Sequence, residues 1–167
     1  MTALNHYRSV PILVLLFSTF AAGQDSAKVS AQHPTKGASV VFVCEHGSAK
    51  SVIAAAYFNK LAKEKNLKMQ AVSRGTNPDS EIAPRVAAGL RADGLTVAGE
   101  KPKRLSQADV SSGTRLVAFC ELPEAYKKSG RVEQWNDVPA VSEDYNKARD
   151  VIVEHIKRLL DELKSEK

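Results

Sequence analysis

Two cysteines, Cys44 and Cys120, are all that the 167 residues contain. Neither lies at metal-ligand spacing from a second cysteine or histidine, and the nearby His46 alone makes no site. A zinc centre is not expected, and no metal or organic cofactor is implied. Long apolar runs are missing too: the longest, residues 10–20, is broken by Pro11, Ser18 and Thr19 and falls short of the ~20 residues a membrane span needs. Charge of one sign is never concentrated. The 24 Lys and Arg are scattered among 19 Asp and Glu, giving a net charge of +5 with no aromatic-interleaved basic stripe. Such residues read as solvated helix faces, and no nucleic-acid partner is expected. Repeats and low-complexity tracts are absent. What remains is 43% hydrophobic content in a chain long enough for one well-buried core.

The N-terminus has the pattern of an export signal. Residues 1–9 are polar with Arg8 as their charge, residues 10–20 are apolar, and Ala21-Ala22-Gly23 offers small residues to a signal peptidase. A secretory leader, residues 1–23, cleaved after Gly23 is the preferred reading, with an uncleaved anchor as its rival. No cysteine stands at the cleavage site, so lipid anchoring is not expected. Residues 24–38 are polar and read as a flexible tether. A periplasmic or secreted protein is the expectation, its domain occupying residues 39–164. Nothing in the sequence sets an oligomeric state.

Beyond the tether, strand and helix patterns alternate. Residues 39–43 form an apolar strand that stops at Cys44. A helical stripe (Val52, Ala55, Ala56, Phe58, Leu61, Ala62) ends near Asn66. Residues 69–73 read as a second strand, followed by an Arg74-Gly75-Thr76-Asn77-Pro78 turn. Ile82, Val86, Ala87, Leu90 and Arg91 mark the next helix, stopped by Asp93-Gly94. Residues 95–113 mix short elements with turns. Residues 115–120 read as a strand ending in Cys120, residues 132–135 as a short last strand, and residues 145–163 as a long amphipathic helix. This order predicts an α/β three-layer sandwich around a four-stranded parallel sheet. Ligands of such sheets bind beyond the carboxyl ends of the strands, where both cysteines fall.

The segment Val40-Val41-Phe42-Val43-Cys44-Glu45-His46-Gly47-Ser48-Ala49-Lys50-Ser51 concentrates the chemistry. Strand, short loop and helix start bring free backbone N–H groups and the positive end of a helix dipole to one point, an anion cradle. A cysteine at its entrance is placed where its thiolate is stabilised, which suits it to nucleophilic attack.

Cys44, five residues, the basic Lys50 and then Ser51 resemble the phosphate loop of low-molecular-weight protein tyrosine phosphatases. The thioredoxin-coupled arsenate reductases share that fold. Ser73-Arg74-Gly75-Thr76 is similar to the family's Ser-Ala-Gly-Thr turn, and Asp137-Val138-Pro139 to its Asp-Pro loop. The resemblance runs from about residue 40 to residue 163 and implies the phosphotyrosine protein phosphatase I-like fold. It also implies roles. Cys44 would attack phosphorus, and the N–H groups of Glu45, His46, Gly47, Ser48, Ala49 and Lys50 would hold the oxyanion. Ser51 would donate to the Cys44 thiolate, and Asp137 would serve as acid and then base.

The departures are specific. Lys50 replaces the family's Arg, exchanging a bidentate fork for a point charge. Gly47 stands where the family has a loop-organising Asn, Ala49 where a second loop cysteine often sits, and Arg74 where the turn has a small residue. Arg74 is read either as a surface residue or as an auxiliary guanidinium for the cradle. Glu45 and His46 place a charge and a titratable ring at the rim. Cys120 occupies the strand end that carries a redox partner in the arsenate reductases, whereas their third cysteine is replaced by Lys127. The leading expectation is hydrolysis of phosphomonoesters, phosphotyrosine among them, through a cysteinyl-phosphate. An arsenate reductase-like use of Cys44 and Cys120 with a thiol reductant is the first alternative. A catalytically weak module that binds phosphate or arsenate is the second.

Overall fold

A strand that is apolar on every residue can be buried only if both faces of its sheet are covered. Residues 40–44 meet that condition in the computed structural model, which describes residues 39–112, 115–128 and 131–166. The expected leader (1–23) and tether (24–38) lie outside the described residues. The elements run β1 (Ser39–Cys44), α1 (Lys50–Glu64), β2 (Gln70–Gly75), α2 (Pro84–Ala92), α3 (Gln107–Ser112), β3 (Arg115–Ala118), α4 (Glu124–Lys127), β4 (Val132–Gln134) and α5 (Tyr145–Ser165). The four strands form one parallel sheet in the order β2-β1-β3-β4. Val40 and Phe42 face the larger core with α1, α2 and α5. Val41 and Val43 face a smaller one with Leu105, Val110, Leu116 and Leu122.

The expected α/β architecture is the observed one, with shifted boundaries. Strand β2 continues through Arg74 and Gly75, which the sequence assigned to a turn, because β1 offers pairing as far as Cys44↔Gly75. Strand β3 stops at Ala118, although Phe119 still donates to the Val43 carbonyl at 2.8 Å. Helix α2 starts at Pro84, whose fixed φ suits the first turn. Helix α1 ends in a Schellman arrangement: Leu67 N–H donates to Ala62, Asn66 N–H to Lys63, and Asn66 takes φ 54°. Helix α5 is capped by Asp144, whose carboxylate accepts from Lys147 N–H at 3.0 Å.

Three helices are tied together at one carboxylate. Asp93 accepts from the hydroxyls of Tyr57 (2.8 Å) and Tyr145 (2.7 Å) and from Arg149 (3.1 Å), which joins α1, the end of α2, and α5. Burial pushes the Asp93 carboxyl up, but the bonds from Tyr145, Tyr57 and Arg149 outweigh it and hold the group below its ordinary value. Burial and then Asp93 push both tyrosines up. A carboxyl lowered by folding contributes stability above its unfolded pKa that is lost as pH falls through the folded one. A phenol raised by folding contributes stability below about pH 10 that is lost at higher pH. We expect Asp93→Ala to cost about 3 kcal/mol. Melting temperature measured against pH should fall at both extremes in the native protein, and the variant should lose less at either end.

Candidate active site

Strand β1 delivers Cys44 to the carboxyl edge of the sheet, and α1 begins six residues later. Cys44 is buried, and its Sγ lies 3.1 Å from the hydroxyl of Ser51, which is fully buried in the first turn of α1. The loop between them turns its carbonyls away from the site. Those of Cys44, Glu45, His46 and Ser48 accept from the N–H groups of Thr76 (3.2 Å), Asn77 (2.8 Å), Asp79 (3.0 Å) and Ala83 (3.1 Å). Among the described residues no acceptor takes the backbone N–H groups of residues 46–50. Helix α1 has neither a side-chain cap nor an acid in its first turn, so its N-terminal dipole is left for an anion. Unpaired loop amides, the start of α1 and the Cys44 sulfur thus lie within residues 44–51.

The loop is braced by residue 79 and by two glycines. The Asp79 carboxylate accepts from the buried Ser48 hydroxyl at 2.6 Å and pairs with His46 Nδ1 at 3.2 Å. Gly47 takes φ +60° and its backbone presses on Gly75. A Cβ at Gly75 would stand 2.8 Å from Gly47 N, and one at Gly47 would stand 2.9 Å from Gly75 N. Glu45 and His46 lie exposed at the rim, as expected.

Lys50 bends across the mouth and donates from Nζ to the Val138 carbonyl at 2.6 Å, drawing the 136–139 loop to the cradle. Asp137 is therefore carried to the site edge. Its carboxylate turns to His155 on α5, with both oxygens within 2.9 Å of Nε2. That bond holds the Asp137 carboxyl below the ordinary range, with burial working against it.

Comparison with known families assigns this arrangement. The family model for low molecular weight phosphotyrosine protein phosphatase matches residues 39–132. The chain belongs to that family. Comparison with curated proteins finds no match. Among solved structures, it is similar to YfkJ from Bacillus subtilis, with TM-score 0.71 and 21% identity, covering 81% of this chain and 99% of that one. YwlE arginine phosphatase from Geobacillus stearothermophilus aligns with TM-score 0.66 and 21% identity, covering 77% and 94%. An arsenate reductase from Archaeoglobus fulgidus aligns with TM-score 0.59 and 28% identity, covering 73% and 98%.

Two residues of this phosphatase-family chain behave differently from each other. Arg74 is neither a surface residue nor an auxiliary to the cradle, and both expectations for it are corrected. Its Nε and Nη2 meet Asp109 of α3 at 2.9 and 2.7 Å, and Nη1 donates to the Ser73 carbonyl. The cause is parity: residue 74 pairs with Val43 and so faces the smaller core, on the side of α3. Cys120 is a free thiol, like Cys44, two residues past β3. It follows the strand next to β1, so both cysteines lie at the carboxyl edge of the sheet; burial, and next the charge of Cys44, push the Cys120 thiol up to about 11.

Asp79, His155, Arg158 and the Val138 carbonyl were not foreseen as parts of the site. Asp79 looks like a turn former after Pro78, and His155 and Arg158 look like the polar stripe of an amphipathic helix. The available signal was the spacing of a histidine and an arginine by three on the helix that follows the Asp-Val-Pro loop.

Proposed function

We propose that the protein is an exported phosphatase that hydrolyses phosphomonoesters, phosphotyrosine among them, through a cysteinyl-phosphate at Cys44. The observation that carries this reading is the Cys44 sulfur beside the Ser51 hydroxyl, at the foot of loop amides left without acceptors. Cys44 attacks phosphorus as a thiolate while the P–O bond breaks, and the leaving oxygen takes a proton from Asp137. Water, deprotonated by the Asp137 carboxylate, then cleaves the P–S bond and releases phosphate and the thiolate. The loop amides hold the equatorial oxygens, and Lys50 adds a positive charge where the family has Arg. Among the described residues every aromatic side chain is buried or half-buried. Recognition therefore centres on the phosphoryl group, with the leaving group setting the rate. Reduced protein is expected to turn over an aryl phosphate and Cys44→Ser to be inactive. Equal turnover by both would rule the mechanism out. Residues 1–23 serve as the leader in this reading, and a mature chain starting at Gln24 outside the cytoplasm is expected.

The position of Cys120 favours a second reading, an arsenate reductase-like activity. Cys44 attacks arsenate, and Cys120 then attacks the Cys44 sulfur. The two thiols supply the two electrons that reduce arsenic(V) to arsenite and end as a disulfide, which an external thiol reduces. A structural neighbour is an arsenate reductase in the phosphate binding state. Burial raises the Cys120 thiol, which works against its attack near neutral pH, and we take phosphatase chemistry as the leading reading. Arsenite release with a Cys44–Cys120 linkage by mass would reverse that order. Phosphate binding with neither activity would leave an oxyanion-binding module.

A further inference from the structure

The loop bearing Asp137 is fastened to α5 by a chain of polar groups that ester hydrolysis does not by itself require. Both Asp137 oxygens face Nε2 of His155, at 2.9 and 2.8 Å, while Nδ1 of the same ring meets Nη2 of Arg158 at 2.8 Å. A guanidinium only donates, so Nδ1 accepts and the ring proton sits on Nε2, aimed at the carboxylate. The Trp135 indole stacks on the imidazole, with centroids 4.5 Å apart and planes 19° from parallel. Trp135 is itself buried and its Nε1 donates to Glu133 at 2.6 Å, so the platform is fixed. His155 is 14% exposed and Asp137 63%: the anchor is inside and the carboxyl is open to solvent.

This arrangement fixes the ring: with Nδ1 held by Arg158, the Nε2 proton stays aimed at the carboxylate. Among the described residues the charged groups facing the ring are Asp137 from the loop and Arg158 from α5. Glu133 lies behind Trp135, Glu154 and Lys157 pair with each other on α5, and Lys50 ends at the Val138 carbonyl.

We infer that His155 is a positioning residue for the general acid Asp137, and that Arg158, by fixing the imidazole tautomer, keeps the Nε2–H donor aimed at the carboxyl. The inference rests on the proposed hydrolysis at Cys44 with Asp137 as proton donor. His155 aims the carboxyl at the leaving oxygen, and its bond to the ionised form sets the pH at which that proton is lost. With the acid held low, turnover of poor leaving groups falls off early as pH rises.

The test compares phenyl phosphate, whose leaving group needs a proton, with dinitrophenyl phosphate, whose leaving group does not. His155→Leu is expected to lower kcat/KM for phenyl phosphate, which reports the steps up to release of the phenol, roughly 10- to 100-fold. The descending pH limb of kcat/KM should move to higher pH, kcat/KM for dinitrophenyl phosphate should change little, and His155→Gln, which keeps a donor, should recover part of the loss. Equal losses on both substrates, or an unmoved pH limb, would overturn the inference. Asp137→Asn is measured alongside. If it slows phenyl phosphate selectively and His155→Leu does not, only the inference fails; if it shows no selectivity, the reading of Asp137 as the acid fails with it. Nitrogen-15 shifts of the unmodified protein at neutral pH should show the Nε2–H tautomer, and an Nδ1–H tautomer or an imidazolium would overturn the inference independently of any variant.

Discussion

Replacing Lys50 by methionine is expected to lower kcat for a phosphomonoester on the order of 10²- to 10³-fold, with a smaller rise in KM. Methionine keeps an unbranched apolar stem and removes only the charge and the donors. The position argues for function. Lys50 is the first residue of α1, where a cation opposes the helix dipole at a cost of about 0.3–1 kcal/mol. An ammonium has three N–H donors, and one reaches the Val138 carbonyl. The other two can serve equatorial oxygens while the first holds the Asp137 loop at the mouth. In the proposed reaction, loss of Lys50 therefore weakens charge neutralisation and acid placement together, and both act in the transition state. Lys50→Arg separates them. A guanidinium grips two oxygens at once but cannot reproduce the short contact of a compact ammonium with Val138. Increased turnover would identify oxyanion grip as the limiting factor, and decreased turnover would identify the loop clamp. A loss too small to measure in Lys50→Met would mean that amides and helix dipole carry the charge alone.

Gly75→Val is expected to disable the cradle from behind. No ligand-facing group is changed, yet the first added carbon would stand 2.8 Å from Gly47 N and 3.0 Å from the His46 carbonyl carbon. Backbone cannot yield as a flexible side chain does, so the loop must move outward, and Gly47 is already in the left-handed region at φ +60°. The overpacking should cost about 1–3 kcal/mol. The loop carbonyls would also lose their register with Thr76, Asn77 and Asp79. Phosphate should raise the melting temperature of the native protein through preferential binding to the folded state. The variant should melt lower and show no phosphate-dependent rise. A full phosphate response in Gly75→Val would show that the Gly47–Gly75 contact does not shape the site.

The strand-loop-helix unit was legible because its signals are local: an unbroken apolar strand, a terminal cysteine and a helix start lie within thirteen residues, 39–51. The Asp-Val-Pro loop was legible for the same reason. What escaped the sequence depends on pairing between distant elements. Arg74 could not be placed while β2 was thought to stop at Ser73, because its partner Asp109 lies on a six-residue helix inside a stretch that read only as mixed short elements. Gly47 stands where the family has a loop-organising Asn, and Asp79 and Gly75 brace that loop from a separate segment. His155 and Arg158 share α5 with Ile152, Ile156 and Leu159, so the helical pattern explained them completely as its polar side. Only the folded arrangement brings Asp137 against that side.

Whether the cradle is a catalyst turns on Cys44, and the direct measurement is capture of the reaction midway. Reduced protein mixed rapidly with an aryl phosphate, denatured at mildly alkaline pH and digested should carry a phosphoryl group on the peptide containing Cys44. Cys44→Ala should carry none and release no phenol. Steady turnover with a phosphoryl group on another residue, or with none on the protein at any time, would contradict the account.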